Sequence, residues 1–283
     1  LSHYLTRAGV FKRELTTKVL KSLQMIPVYR IRDGWSNLSN NDAVFKECAE
    51  LLHENEMVVI FPEGSHNLRR TVRPLSKGFT RIIYETLETY PETDLQLLPA
   101  GLNFRSAENF PDSASLYIGE LLDVKTLMNE EKNETVTTLK RTIHQNISKL
   151  TTHIPFEDYE STLKKLEALS ADFLNPVSVN ACISREFLNC EFNAEREIGF
   201  IKKLLRFLTI CNLLLPYLIW KNVIKPKIKE IEFLSTFRFA IAVTLVPLWI
   251  FVIGLVLAIL FGGAIALIYL LALLCLMLLF VKT

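Results

Sequence analysis

The densest chemistry in this sequence is Phe61-Pro62-Glu63-Gly64-Ser65-His66-Asn67, followed by Arg69, Arg70, Arg73, Lys77 and Arg81. Gly64 carries no Cβ, so the backbone there can approach a ligand closely. Ser65 adds a hydroxyl donor. Arginine offers a bidentate fork to a phosphate and lysine a point charge. With Arg30 and Arg32, these cations suit a phosphate group, and Glu63 among them can orient an arginine or accept a ligand hydroxyl. Alone, the same series would read more readily as a solvated loop and helix face. Its place just beyond an apolar strand-like run, in a chain with membrane segments, favours the pocket.

Those residues need elements to position them. Met25-Ile26-Pro27-Val28-Tyr29 is a short strand-type run, and Met57-Val58-Val59-Ile60-Phe61 reads as a strand buried on both faces. Leu95 to Leu102 reads as a third strand and Ser115 to Ile118 as a weaker one. Helical spacing appears over 12–24 (Leu15, Val19, Leu20, Leu23) and over 41–54 (Val44, Phe45, Cys48, Leu51, Leu52). It recurs over about 76–90 (Phe79, Ile82, Ile83, Leu87). Ser39 can cap the second of these helices. Strands alternating with helices at this spacing predict an α/β fold with a mostly parallel sheet flanked by helices. Ligands of open parallel sheets bind beyond the carboxyl ends of the strands. Arg30, Pro62-Glu63-Gly64-Ser65 and Pro99-Ala100-Gly101 are therefore expected on one rim. Residues 120–200 read as chiefly helical and polar, broken by Pro155 and Asn175-Pro176.

The chain resembles the lysophosphatidic acid and glycerol-3-phosphate acyltransferase family over about residues 1–121. Phe61-Pro62-Glu63-Gly64-Ser65 matches its FPEG[TS] motif. Met25-Ile26-Pro27-Val28-Tyr29-Arg30 is similar to its apolar strand ending in Arg, with Gln24 where glycine is usual. Lys77-Gly78 stands for K-x-G with the spacer missing, and Leu98-Pro99-Ala100-Gly101 for the strand reaching V-P-V/A. The resemblance implies transfer of an acyl group from acyl-CoA or acyl-carrier protein to a hydroxyl of a lysophospholipid or glycerol phosphate. A general base would act, with no covalent intermediate. Arg30, Glu63, Gly64 and Ser65 would hold the acceptor phosphate; Arg70, Arg73 and Lys77 extend that set by charge and proximity. No cofactor or metal is implied. The family's N-H-x4-D signature is absent. His153-x4-Asp158 has the spacing but follows Thr152, contains Pro155 and comes after the other motifs, so it reads as a polar loop; His3 and His53 lack the aspartate. The simplest expectation is that the signature lies ahead of Leu1. The alternative is a membrane-anchored relative that binds a lipid phosphate without catalysis. A nucleotide-binding scaffold is weaker, since neither G-x-x-x-x-G-K-[ST] nor G-x-G-x-x-G occurs.

The 283 residues carry 32 Lys+Arg against 30 Asp+Glu, a net charge of +2, which argues against nucleic acid as the main partner. The five cysteines form no C-x-x-C pair and read as free thiols of a reducing compartment. From Phe239 to Val281 there is no charge. One helix of that length would be ~65 Å, twice the ~30 Å bilayer core, so two spans turning at Gly262-Gly263 are expected. Residues 204–230 hold a shorter apolar stretch, Phe207 to Trp220, interrupted by Pro216 and flanked by Lys202, Lys203, Arg206, Lys221, Lys225, Lys227 and Lys229. It reads as an interfacial or re-entrant segment. The expected order is an α/β domain over 1–121, a helical extension over 122–203, that segment, and a transmembrane hairpin over 236–283. Basic flanks put the α/β domain on the cytoplasmic side of an integral membrane protein, its rim and residues 207–220 facing one bilayer surface.

Overall fold

Three strands form one parallel sheet in the computed structural model of the chain, which describes residues 1–30, 39–64, 67–192 and 199–282. They are β1 (Ser2–Arg7), β2 (Met25–Val28) and β3 (Met57–Val59), in the order β2-β1-β3. Tyr4 aligns with Met25 on one side and Val59 on the other. The crossovers are α1 (Glu14–Ser22) and α2 (Asn40–His53). β1 is the central strand, and neither its hydrophobicity nor its pattern announced it: Ser2, Thr6 and Arg7 dilute the buried His3 and Leu5. β3 is an edge strand with Met57 exposed, so the expectation of burial on both faces is corrected. Val58 and Val59, on opposite faces, are each only partly buried.

Chain contacts divide the molecule into two units, the first formed by Leu1–His66, Arg70–Leu102 and Leu116–Tyr159. Its core has two clusters. Leu5, Ile26, Val44, Phe45, Cys48 and Ile82 join the sheet to α2 and to α3 (Gly78–Thr89). Val72, Leu75, Phe79, Ile83, Leu95, Val124, Leu139 and Ile143 join α3 to α4 (Lys132–Leu150). Helical spacing explains both: Val44, Phe45 and Cys48 share one face of α2, and Thr135, Leu139 and Ile143 one face of α4. Ser39 makes no side-chain cap bond to α2. Instead Asn41 clasps the end of β2, its Oδ1 accepting from the Tyr29 N–H at 2.9 Å and its Nδ2 donating to the Tyr29 carbonyl at 2.8 Å.

The expected third strand is two. β4 (Gln96–Leu97) pairs antiparallel with β7 (Leu122–Asp123), and β5 (Ala100–Phe104) pairs with β6 (Ala114–Ile118). Among the described residues neither joins the parallel sheet. Pro99, which has no N–H, falls at the break, and its carbonyl accepts from the Gly119 N–H at 2.9 Å. Pro99-Ala100-Gly101 is therefore not a third tip of the rim. A Cβ on Gly101 would stand 2.3 Å from the Leu150 carbonyl oxygen, so this glycine serves close packing against the end of α4.

The second unit is Asn67–Arg69, Asn103–Ser115 and Glu160–Thr283. It holds most of α5 (Tyr159–Ala168) and all of α6 (Pro176–Ser184), which starts at Pro176 with Asn175 accepting from the Ser178 N–H. Cys182 and Cys190 are disulfide-bonded, which corrects the expectation of free thiols for these two. Left-handed residues Glu186, Phe187 and Asn189 fold the chain back and bring the two Cα atoms to 5.5 Å. Cys48, Cys211 and Cys275 are free. Beyond lie α7 (Gly199–Asn212), α8 (Leu214–Ile219), α9 (Leu234–Phe261) and α10 (Gly263–Lys282). α9 and α10 are each long and apolar enough to cross a membrane, and they turn at Gly262, whose φ of +90° only glycine adopts easily. α7 and the stretch Leu214–Lys227 meet at a 95° bend.

Candidate functional site

Parallel pairing on both sides of β1 sends the ends of all three strands to one edge of the sheet. Arg7 closes β1, Arg30 follows β2 by two residues, and Ile60 to Gly64 follow β3. Arg30 and Glu63 thus share the rim that the spacing predicts. Arg7 joins them and escaped the sequence reading because β1 itself did. Ser65 and Arg32 lie outside the described residues.

Phe61 to Gly64 form a tight turn. The Gly64 N–H donates to the Phe61 carbonyl at 3.2 Å, and Gly64 takes a φ of +70°. The Pro62 carbonyl accepts from the Ser76 N–H at 2.7 Å, tying the turn to the residues before α3. Half-buried Glu63 reaches a residue ten positions further on: its Oε2 accepts from Arg73 Nε at 3.1 Å and from the Arg73 N–H at 3.4 Å. The carboxylate therefore orients a guanidinium, one of the two roles its residue type allowed.

The segment carrying Arg70 and Arg73 is held from both sides by residues of 144–159, which no motif singled out. The Ile154 N–H donates to the Arg70 carbonyl at 2.7 Å, and Thr71 Oγ1 donates to the Ile154 carbonyl at 2.8 Å. Tyr159 Oη accepts from the Arg70 N–H at 3.0 Å. His153 Nδ1 accepts from the Val72 N–H at 3.0 Å, which puts the neutral ring's proton on Nε2. His144 Nε2 donates to the Val72 carbonyl at 3.1 Å, and the two rings meet edge to face, centroids 5.9 Å apart. Burial, and then the charge of His144, lower the pKa of His153 from its usual 6.5, while the Glu63 carboxylate pulls it upward. His153 is thus a structural acceptor next to the site. Its link to the site is tertiary, since about 80 residues separate it from Val72.

Lys77 stands exposed just before α3 and borders a cleft of about 460 Å³ together with Asp42, Arg81, Tyr84, Glu88 and Lys132. Lys132 Nζ pairs with Glu88 at 3.2 Å and sits 4.3 Å from the Tyr84 ring centre. Among the described residues no group of three or more His, Cys, Asp or Glu converges as a metal cage would require. Cys48, on the inner face of α2, has its thiol pushed up to about 12 by burial and by Glu47, so it is packing rather than a nucleophile.

The parallel rim, the FPEG turn and the buttressed arginines agree with a match over residues 3–103 to the family model described as Acyltransferase. Residues 3–103 match the acyltransferase family. Curated relatives point the same way. An uncharacterised acyltransferase of Schizosaccharomyces pombe is 29% identical over 125 residues, 42% of this chain and 18% of the relative. Glycerol-3-phosphate O-acyltransferases 1 and 2 of Saccharomyces cerevisiae are 25% and 26% identical, each over 44% of this chain and 17% of the relative. The match thus spans less than a fifth of these relatives' length. No solved structure matches the chain. Within the matched segment fall Arg30, Glu63, Gly64, Arg70, Arg73 and Lys77; the clasping residues His144, His153 and Tyr159 lie after it.

Proposed function

We propose that this protein transfers a fatty acyl group from acyl-CoA or acyl-carrier protein to a hydroxyl of glycerol 3-phosphate or a lysophospholipid, at a membrane. The observation that carries the reading is the Glu63–Arg73 pair on the FPEG turn, at the same sheet edge as Arg30, inside the acyltransferase segment. The yeast relatives' printed activity supports glycerol 3-phosphate or a close analogue as acceptor. In this reading Arg30, Arg70 and Arg73 bind the acceptor phosphate, and Lys77 adds charge at its margin. Glu63 aligns Arg73, and the Gly64 and Ser65 backbone and hydroxyl complete the cradle.

The reaction forms a C–O bond and breaks the thioester C–S bond. A general base takes the acceptor hydroxyl's proton, the oxygen attacks the carbonyl, and the departing thiolate receives a proton. The base is assigned to no residue of this sequence: His153 has its Nδ1 engaged by the Val72 amide. The second reading is a membrane-anchored relative that binds the lipid phosphate without catalysis, and turnover by the full gene product separates the two. α9 and α10 would anchor the protein, with residues 204–230 at the interface, so that acceptor and product need not leave the lipid. The lysine-rich flanks support a cytoplasmic α/β domain; the Cys182–Cys190 bond argues the other way, since such bonds persist where the compartment is oxidising.

The test is an acyl-transfer assay of the full gene product with labelled acyl-CoA, using glycerol 3-phosphate and 1-acylglycerol 3-phosphate in parallel. Arg30→Ala and Glu63→Ala are expected to raise the KM for the acceptor. Wild-type acceptor affinity in both variants would remove the site assignment. Acceptor binding without turnover would select the second reading.

A further inference from the structure

We propose that the loop over residues 105–113, between β5 and β6, is a membrane-contact element that sets the Phe110 ring into the phospholipid interface. The inference rests on α9 and α10 crossing a bilayer. The uncharged run begins right after Arg238 and ends right before Lys282, so these two cations mark one boundary of the apolar hairpin. The loop is fastened at that boundary. Arg238 Nη2 donates to the Glu108 carbonyl at 2.7 Å, and Ser235 Oγ donates to the Ala107 carbonyl at 2.6 Å. The Arg238 guanidinium stands 5.5 Å from the Trp220 ring centre and 6.0 Å from that of Phe110. Phe110 meets Phe280, two residues from the end of α10, edge to face with centroids 6.1 Å apart. Aromatic rings around an arginine at a helix mouth are the groups that settle at the headgroup level, apolar body inward and charge toward water.

The loop also closes its polar groups on itself. The Arg105 N–H donates to the Ser113 carbonyl at 3.0 Å, and the Asn109 N–H to the Ser106 carbonyl at 2.9 Å. Asp112 Oδ1 accepts from the Ser106 N–H at 2.8 Å. Phe110 remains 57% exposed at the tip, although tied to residues that lie at the edge of the lipid. Lipid is the occupant because the apolar faces of α9 and α10 continue from the same ring cluster: only 6% and 17% of their apolar windows are buried within the molecule.

The full chain in nanodiscs tests this. Phe110→Trp is compared with wild type in lipids brominated near the glycerol or near the bilayer centre. Deep bromines should quench the Trp249 part of the wild-type emission, which establishes that the hairpin is inserted; Trp35 and Trp220 are common to both proteins and cancel in the difference. The emission added by Phe110→Trp should be lost with shallow bromines and retained with deep ones. With Trp249 quenched, added emission untouched at either depth would overturn the proposal, placing the loop in water or against another protein surface. Should the variant misfold, oxidative footprinting of the wild-type chain decides. Phe110 should react less than Phe156, which is 67% exposed. Equal reaction would overturn the proposal.

Discussion

Glu63 and His153 reach the same segment from opposite sides, and each has a consequence that can be measured. Glu63 accepts from Arg73 in a half-buried pair. Glu63→Gln keeps an acceptor but removes the charge that pins the guanidinium. Acceptor binding should weaken by ~1 kcal/mol, about fivefold in Kd, read by calorimetry with glycerol 3-phosphate. An unchanged Kd would separate Glu63 from the site. His153 accepts from the Val72 amide only when Nδ1 is unprotonated, and its folded-state pKa lies below 6.5. The unfolded chain therefore takes up this proton first as pH falls. Stability from this contact is whole above about pH 6.5 and is lost as pH falls through the folded pKa. The unfolding midpoint should drop on going from pH 7.5 to 5. His153→Asn, whose Oδ1 can accept without titrating, should flatten part of that slope; parallel slopes would refute the assignment.

At the scale of elements, two glycines separate packing from conformation. Gly101 lies against the backbone at the end of α4, where a Cβ would sit 2.3 Å from the Leu150 oxygen. Gly101→Ala must push β5 and α4 apart and should cost ~3 kcal/mol. Among the described residues, Gly64 has only the Ser76 Cβ near, at 4.0 Å, but its φ is +70°. Gly64→Ala should cost ~1 kcal/mol, and weaken acceptor binding more than it lowers the unfolding temperature. Thermal unfolding of both variants checks the order; a reversal would count against the packing described. In the helical region, Asn212 sits at the bend between α7 and α8. Its carbonyl accepts from Trp249 Nε1 at 3.0 Å and its Oδ1 from Tyr269 Oη at 2.7 Å. One residue thus supplies partners to both α9 and α10. Tyr269→Phe removes one of these bonds and should lower stability in detergent by ~0.6 kcal/mol, the usual size of an interhelical bond in lipid.

At the scale of the molecule, the chain joins an α/β unit to two helices, α9 and α10, whose surfaces are apolar all round. α9 is ~42 Å long and α10 ~30 Å by their residue counts, so both suffice to cross the bilayer core. The protein should stay with membranes through high salt and alkaline carbonate. Release by salt alone would show that lysine-rich segments, and not the hairpin, hold it there.

α1, α2 and α3 were legible because each carries an apolar face, and the hairpin because it has no polar face at all; α4, α5 and α6 were read only as a polar, chiefly helical stretch. The FPEG turn and the strands on either side of α2 were legible for the same local reasons. The central strand β1 was not. Its membership depends on backbone pairing to β2 and β3, which its own mixed side chains do not report. Pairing also decided that β4 and β5 leave the sheet, so that Gly101 packs rather than binds. The bond between Cys182 and Cys190 depended on a left-handed turn that eight residues of spacing do not reveal. The seat of Arg70 and Arg73 depended on His144, His153 and Tyr159, residues some 70 to 90 positions away, and only the folded chain makes them neighbours.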